Sequence, residues 1–111
     1  MKDKNIQDLI NLYNSGELAT VKKKVVKLIK EYPNNFILYN IYGAVLVSRE
    51  KLDEAVSNYE KAIKINPNYA EAHNNLGSVL YKLGKFNESM NNCQKAIRIK
   101  PDLAEAYNNL A

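Results

Sequence analysis

Two residues carry the side-chain chemistry most often used in catalysis or metal binding: the single histidine, His73, and the single cysteine, Cys93. Neither has the company that chemistry needs. A transition-metal site takes three or four ligands at short spacing, and the chain offers no second His or Cys. A cysteine–histidine nucleophile pair needs a third group to orient the base and a cleft for the substrate, whereas both residues fall on apolar helical stripes and read as packing residues. The acid pair Asp53-Glu54 opens a predicted helix, where its charge complements the macrodipole. Gly16, Gly43, Gly77 and Gly84 are scattered and form no phosphate-binding loop. The densest basic run, Lys22-Lys23-Lys24 with Lys27 and Lys30, points mostly away from the apolar stripe and reads as a solvated outer face, an anionic partner being the alternative. Lys22 stands on the packed side, where its stem would snorkel past apolar neighbours. No enzyme, cofactor or metal site is expected.

Composition narrows the classes further. The chain is 46% hydrophobic and 25% charged, ordinary for a globular domain. Its charge of +4 includes only two arginines, Arg49 and Arg98, which argues against a dedicated nucleic-acid surface. The longest apolar run, Ala44-Val45-Leu46-Val47, is far short of the roughly 20 residues of a membrane span. With no secretory signal at the N-terminus and one unpaired cysteine, a cytoplasmic location is expected, with no membrane partner.

The elements that must position these residues follow from a period. The stretch Pro67-Asn68-Tyr69-Ala70-Glu71-Ala72-His73-Asn74-Asn75-Leu76-Gly77 returns 34 residues later as Pro101-Asp102-Leu103-Ala104-Glu105-Ala106-Tyr107-Asn108-Asn109-Leu110-Ala111, and Pro33 stands 34 residues upstream. A fixed period of this length marks stacked structural repeats rather than one closed core. Within a period the apolar residues form two helical stripes. Tyr39, Tyr42, Gly43 and Leu46 are followed by Leu52, Ala55, Val56, Tyr59, Ala62 and Ile63; then His73, Leu76, Gly77 and Leu80 by Phe86, Met90, Cys93, Ala96 and Ile97. The short breaks Arg49-Glu50-Lys51 and Leu83-Gly84-Lys85 make each pair an antiparallel hairpin.

The ends depart from the pattern. Residues 1–35 keep the turn Ser15-Gly16-Glu17 and a second helix with Leu18, Val21, Val25, Leu28 and Ile29, but the first-helix stripe has drifted to Ile6, Leu9, Ile10 and Tyr13. Drift of this kind suits a terminal capping repeat. Repeats then occupy 36–69 and 70–103, and 104–111 begins a further first helix and stops. The expectation is a piece of a longer protein, with Tyr107 and Leu110 offering a surface for self-association with another copy.

Across nearly all its length the chain resembles the tetratricopeptide repeat family, on Tyr39, Tyr42-Gly43, Leu46, Ala55, Tyr59, Ala62 and Pro67, and again on His73, Leu76-Gly77, Leu80, Ser89, Cys93, Ala96 and Pro101. The resemblance implies an all-α fold, a right-handed superhelical stack of antiparallel helical hairpins forming an α-solenoid. It also implies a concave groove lined by the first helices. By register the groove residues are Asn40, Asn74, Asn75, Ser78, Tyr81, Lys82, Asn108 and Asn109.

A side-chain amide donates and accepts at once, so Asn75 and Asn109, one repeat apart, would hold the backbone of an extended peptide. This is similar to the asparagine ladder in the repeat arms of O-linked N-acetylglucosamine transferases, with a break at Ile41. The alternative is that the asparagines are merely solvated. The family's carboxylate clamp for chaperone C-termini is not expected, because Glu71, Asn75, Glu105 and Asn109 stand at its positions. The function expected is a non-catalytic interaction module binding an extended peptide segment of a protein partner, with the substrate-presenting arm of a larger glycosyltransferase or sulfotransferase as the second reading.

Overall fold

The computed structural model describes residues 3–103. Among them are six helices and no strand: α1 (Asp3–Asn14), α2 (Leu18–Glu31), α3 (Phe36–Ser48), α4 (Leu52–Ile65), α5 (Ala70–Lys82) and α6 (Phe86–Ile99). None of the described helices is long and apolar enough to cross a membrane.

Each hairpin turns by the same device. Lys85 N–H donates to the Leu80 carbonyl at 2.9 Å and Gly84 N–H to Tyr81 at 3.0 Å, and the same pair of bonds links Lys51 to Leu46 and Glu50 to Val47, and Glu17 to Leu12 and Gly16 to Tyr13. This is the Schellman arrangement, which places one residue in the left-handed region. Gly16 (φ +81°) and Gly84 (φ +80°) occupy it without strain, while the middle copy puts Glu50 there at φ 59°.

The joints between hairpins also repeat. Tyr32, Asn66 and Lys100 precede the three prolines, and a residue before proline is pushed out of the helical region, so α2, α4 and α6 end there. Asn35, Tyr69 and Leu103 N–H groups then close turns onto the Tyr32, Asn66 and Lys100 carbonyls at 3.2, 3.1 and 3.0 Å. Proline supplies the second position of each turn, with its φ already set. At the first joint Asn35 also caps α3, its Oδ1 accepting from the Ile37 and Leu38 N–H groups at 3.0 and 3.4 Å.

Packing is a right-handed superhelical stack. The second helix of one hairpin lies against the first helix of the next, α2 on α3 and α4 on α5. The apolar core therefore runs through the seams: Leu9, Val21 and Val25 meet Leu38, Ile41 and Val45, and Leu46, Ala55 and Tyr59 meet Leu76, Val79 and Leu80. The middle helix α3 is apolar around its circumference because neighbours cover it on several sides.

Close approach within a hairpin depends on glycine. A Cβ on Gly43 would stand 2.5 Å from the Tyr59 ring, and one on Gly77 would stand 2.6 Å from Cys93 Sγ. In the first hairpin Leu9 and Val25 fill the equivalent places, so α1 and α2 sit less tightly together. A cleft of about 310 Å3 opens between them, lined by Asn5, Asp8, Lys24, Lys27, Leu28 and Glu31 among others.

Two expected packing residues differ. Phe86 and Met90 are 57% and 49% exposed, although their register equivalents Leu52 and Val56 pack against α5. The equivalent side of α4 is covered by α5, and among the described residues no helix follows α6. The residues next in register, 104–111, lie outside the described residues.

Candidate functional site

The first helices α1, α3 and α5 lie side by side on one face of the stack, and the asparagines gather where α3 meets α5. Asn75 Nδ2 donates to Asn40 Oδ1 at 3.0 Å, and Asn40 Nδ2 donates to the Tyr69 hydroxyl at 3.4 Å. Tyr69 stands immediately before α5, with its ring edge-on to Phe36 at 4.8 Å between centroids. Burial pushes the Tyr69 hydroxyl above its ordinary pKa, with Glu71 adding to the shift and the Asn40 bond opposing it. Tyr69 therefore stays a neutral donor and acceptor that closes the chain of amides.

The expected groove residues separate into distinct environments. Asn40, Asn75 and Ser78 are half-buried and Lys82 is exposed. Tyr81 is 60% exposed and meets Phe86 edge-on, with ring centroids 5.1 Å apart. Asn74 departs from the expectation: it is 3% exposed, inside the packed layer. Its register partner Asn40 is half-buried and turned toward α5. Asn108 and Asn109, like Tyr107 and Leu110, lie outside the described residues. Sequence reasoning overlooked Tyr69; the signal was an aromatic at the joint, one residue ahead of the helix.

His73 is 5% exposed, in the packed layer. Its Nε2–H donates to the Pro67 carbonyl at 2.8 Å, and its Nδ1 lies 3.4 Å from the Asn92 side-chain oxygen. Tyr39, at the same place one repeat earlier, donates its hydroxyl to the Pro33 carbonyl at 2.7 Å. The two side chains share a role, pinning the first helix of a hairpin to the proline joint that precedes it. Cys93 is fully buried, and that burial pushes its thiol above the ordinary range, which disfavours the nucleophilic thiolate. Among the described residues no group of three or more His, Cys, Asp or Glu side chains converges.

Two family models match the chain: one described as TPR repeat over residues 43–84 and one described as tetratricopeptide repeat over 70–103. No curated protein sequence matches it. Among solved structures, MamA is 21% identical with a TM-score of 0.86; the match covers 97% of this chain and 63% of that one. The first TPR of Spaghetti (RPAP3), bound to an HSP90 peptide, is 20% identical with a TM-score of 0.87, over 94% of this chain and 82% of that one. An O-GlcNAc transferase from Thermobaculum terrenum is 19% identical with a TM-score of 0.93, over 97% of this chain and 21% of that one. At these identities the likeness is one of fold.

Proposed function

We infer that this chain, which belongs to the tetratricopeptide repeat family, is a non-catalytic protein-interaction module holding an extended segment of a partner protein along the face made by α1, α3 and α5. The observation that carries the reading is the amide pair of Asn40 and Asn75. Their mutual bond uses one Asn75 N–H. The half-buried Asn75 amide keeps its second N–H and its carbonyl oxygen for a peptide backbone, which supplies one donor and one acceptor per residue. The bond to Asn40 restricts the Asn75 rotamer, so less side-chain entropy is lost when a peptide arrives. Ser78, Tyr81 and Lys82 extend the surface toward the end of α5, and Asn108 and Asn109 would continue the register. The fold's accommodation of an HSP90 peptide in RPAP3 supports a ligand of peptide kind.

Selection from a random dodecapeptide library, followed by titration of a selected peptide, tests the reading. Asn75→Ala is expected to weaken binding about tenfold or more, the loss of one or two peptide hydrogen bonds. Equal binding by parent and Asn75→Ala would refute the role of the amide. The second reading, the repeat arm of a larger enzyme, is favoured by the superposition on 21% of the transferase chain. It is tested by whether the full open reading frame encodes a catalytic domain.

A further inference from the structure

We propose that the break in the asparagine column at Ile41 is a binding feature: a pocket for one aliphatic side chain of the partner segment, at the junction of the first and second hairpins. This inference rests on the peptide-groove reading above.

The pocket has a volume of about 100 Å3 and is lined by Ile10 and Tyr13 of α1 and by Asn40, Ile41 and Ala44 of α3. Ile41 is 9% exposed and sits low in it, while Ile10 is 37% exposed. Small-molecule sites run to roughly 300–1,000 Å3, so this pocket is the size of a side chain rather than of a metabolite. It has room for about three waters, but its lining offers them only the Asn40 amide and the Tyr13 hydroxyl. Displacing that water with hydrocarbon is favourable.

Charge selects the occupant. No ionisable group with a charge at neutral pH lines the pocket, so an Asp, Glu, Lys or Arg side chain would lose its hydration with no opposite charge to compensate. Among uncharged side chains, aliphatic ones, with neither a polar edge nor a rigid ring plane, suit an apolar space of about 100 Å3. Leu, Ile, Val and Met remain.

Position ties the pocket to the amides. Asn40 lines the pocket and accepts the Asn75 bond, so the two features abut. Successive side chains of an extended segment point to opposite sides at about 3.3 Å per residue. One side chain can therefore enter the pocket while the neighbouring backbone crosses Asn75. Where the column is interrupted, the groove would recognise a side chain in place of backbone.

The test uses the selected dodecapeptides, with Ala44→Leu to fill the pocket and Ile10→Ser to open its exposed wall should Ala44→Leu fail to fold. One position of the peptides is expected to be enriched in Leu, Ile, Val or Met, and replacing it with Gly should weaken binding to the parent about tenfold to a hundredfold. In either variant that peptide substitution should cost less than about twofold. Peptides that bind through Asn75 but show no aliphatic position, an acidic one, or the same Gly penalty in the variants would overturn the pocket and leave the groove standing. Failure to select any peptide would overturn both. A dimer in light scattering that Ala44→Leu dissociates would assign the pocket to a second copy and overturn the proposal.

Discussion

Replacing Glu50 with glycine is expected to stabilise the protein. Three turns share one hydrogen-bond pattern, and two of them place glycine at the left-handed position while the third places Glu50 there at φ 59°. An L-residue in that region costs about 1–2 kcal/mol. Glycine removes that cost but brings back about 0.4–1 kcal/mol through its freer unfolded chain. A further few tenths come from withdrawing a negative charge from the C-terminal end of α3. The net expectation is a gain of about 0.5–1 kcal/mol, or roughly 2–6 °C in melting temperature for a chain of this size.

Thermal and urea unfolding followed by circular dichroism provide the assay. Glu50→Ala is the control, since it removes the charge but keeps the strained backbone, and should change stability by less than about 0.5 kcal/mol. Gly84→Ala is the mirror experiment. No atom lies within 4 Å of the added Cβ, so its expected loss of up to about 1.5 kcal/mol is purely conformational. A Glu50→Gly variant that is less stable than the parent, or one matched by Glu50→Ala, would refute the equivalence of the three turns.

Gly77→Leu should destabilise the third hairpin by about 1–3 kcal/mol through overpacking against Cys93 and the Ser89 carbonyl; an unchanged melting temperature would dismiss the close-approach argument. Tyr39→Phe deletes the 2.7 Å bond to the Pro33 carbonyl and should cost about 0.5–1.5 kcal/mol in urea unfolding, a neutral result meaning that the joint is held by packing alone. Burial raises the pKa of the Tyr59 and Tyr69 hydroxyls and the Cys93 thiol above the ordinary 10.0 and 9.0. The unfolded chain therefore releases these protons first, and stability should be complete below pH ~9 and fall as pH rises above it. Tyr59→Phe should flatten part of that decline, and a melting temperature constant from pH 8 to about 11 would contradict it.

How far the fold was legible depends on whether the cause was local. The prolines at 33, 67 and 101 and the breaks around Gly16 and Gly84 act through their own backbone restrictions, so each could be placed from sequence. Glu50 was placed in a turn by register although nothing in its chemistry favours a positive φ. That Tyr59 is the side chain a Cβ on Gly43 would meet, at 2.5 Å, depends on how α3 and α4 pack and is not given by their spacing.

The functional face was less legible, because it depends on which neighbour covers each side chain. A helical period assigns Asn74 and Asn75 to adjacent bearings about 100° apart, too little to tell a seam from a groove. In the tertiary structure the first is buried and the second is joined to Asn40. Phe86 and Met90 share a stripe with Cys93, yet Cys93 is turned to α5 and the other two are exposed. Ile41, in sequence a flaw in a polar column, becomes with Ile10, Tyr13 and Ala44 the lining of a pocket. The 34-residue period by itself determined the elements, their turns and their order, since those follow from local backbone chemistry repeated in register. Tertiary structure decided which amides bond and which are buried, since those outcomes depend on contacts between residues far apart along the chain.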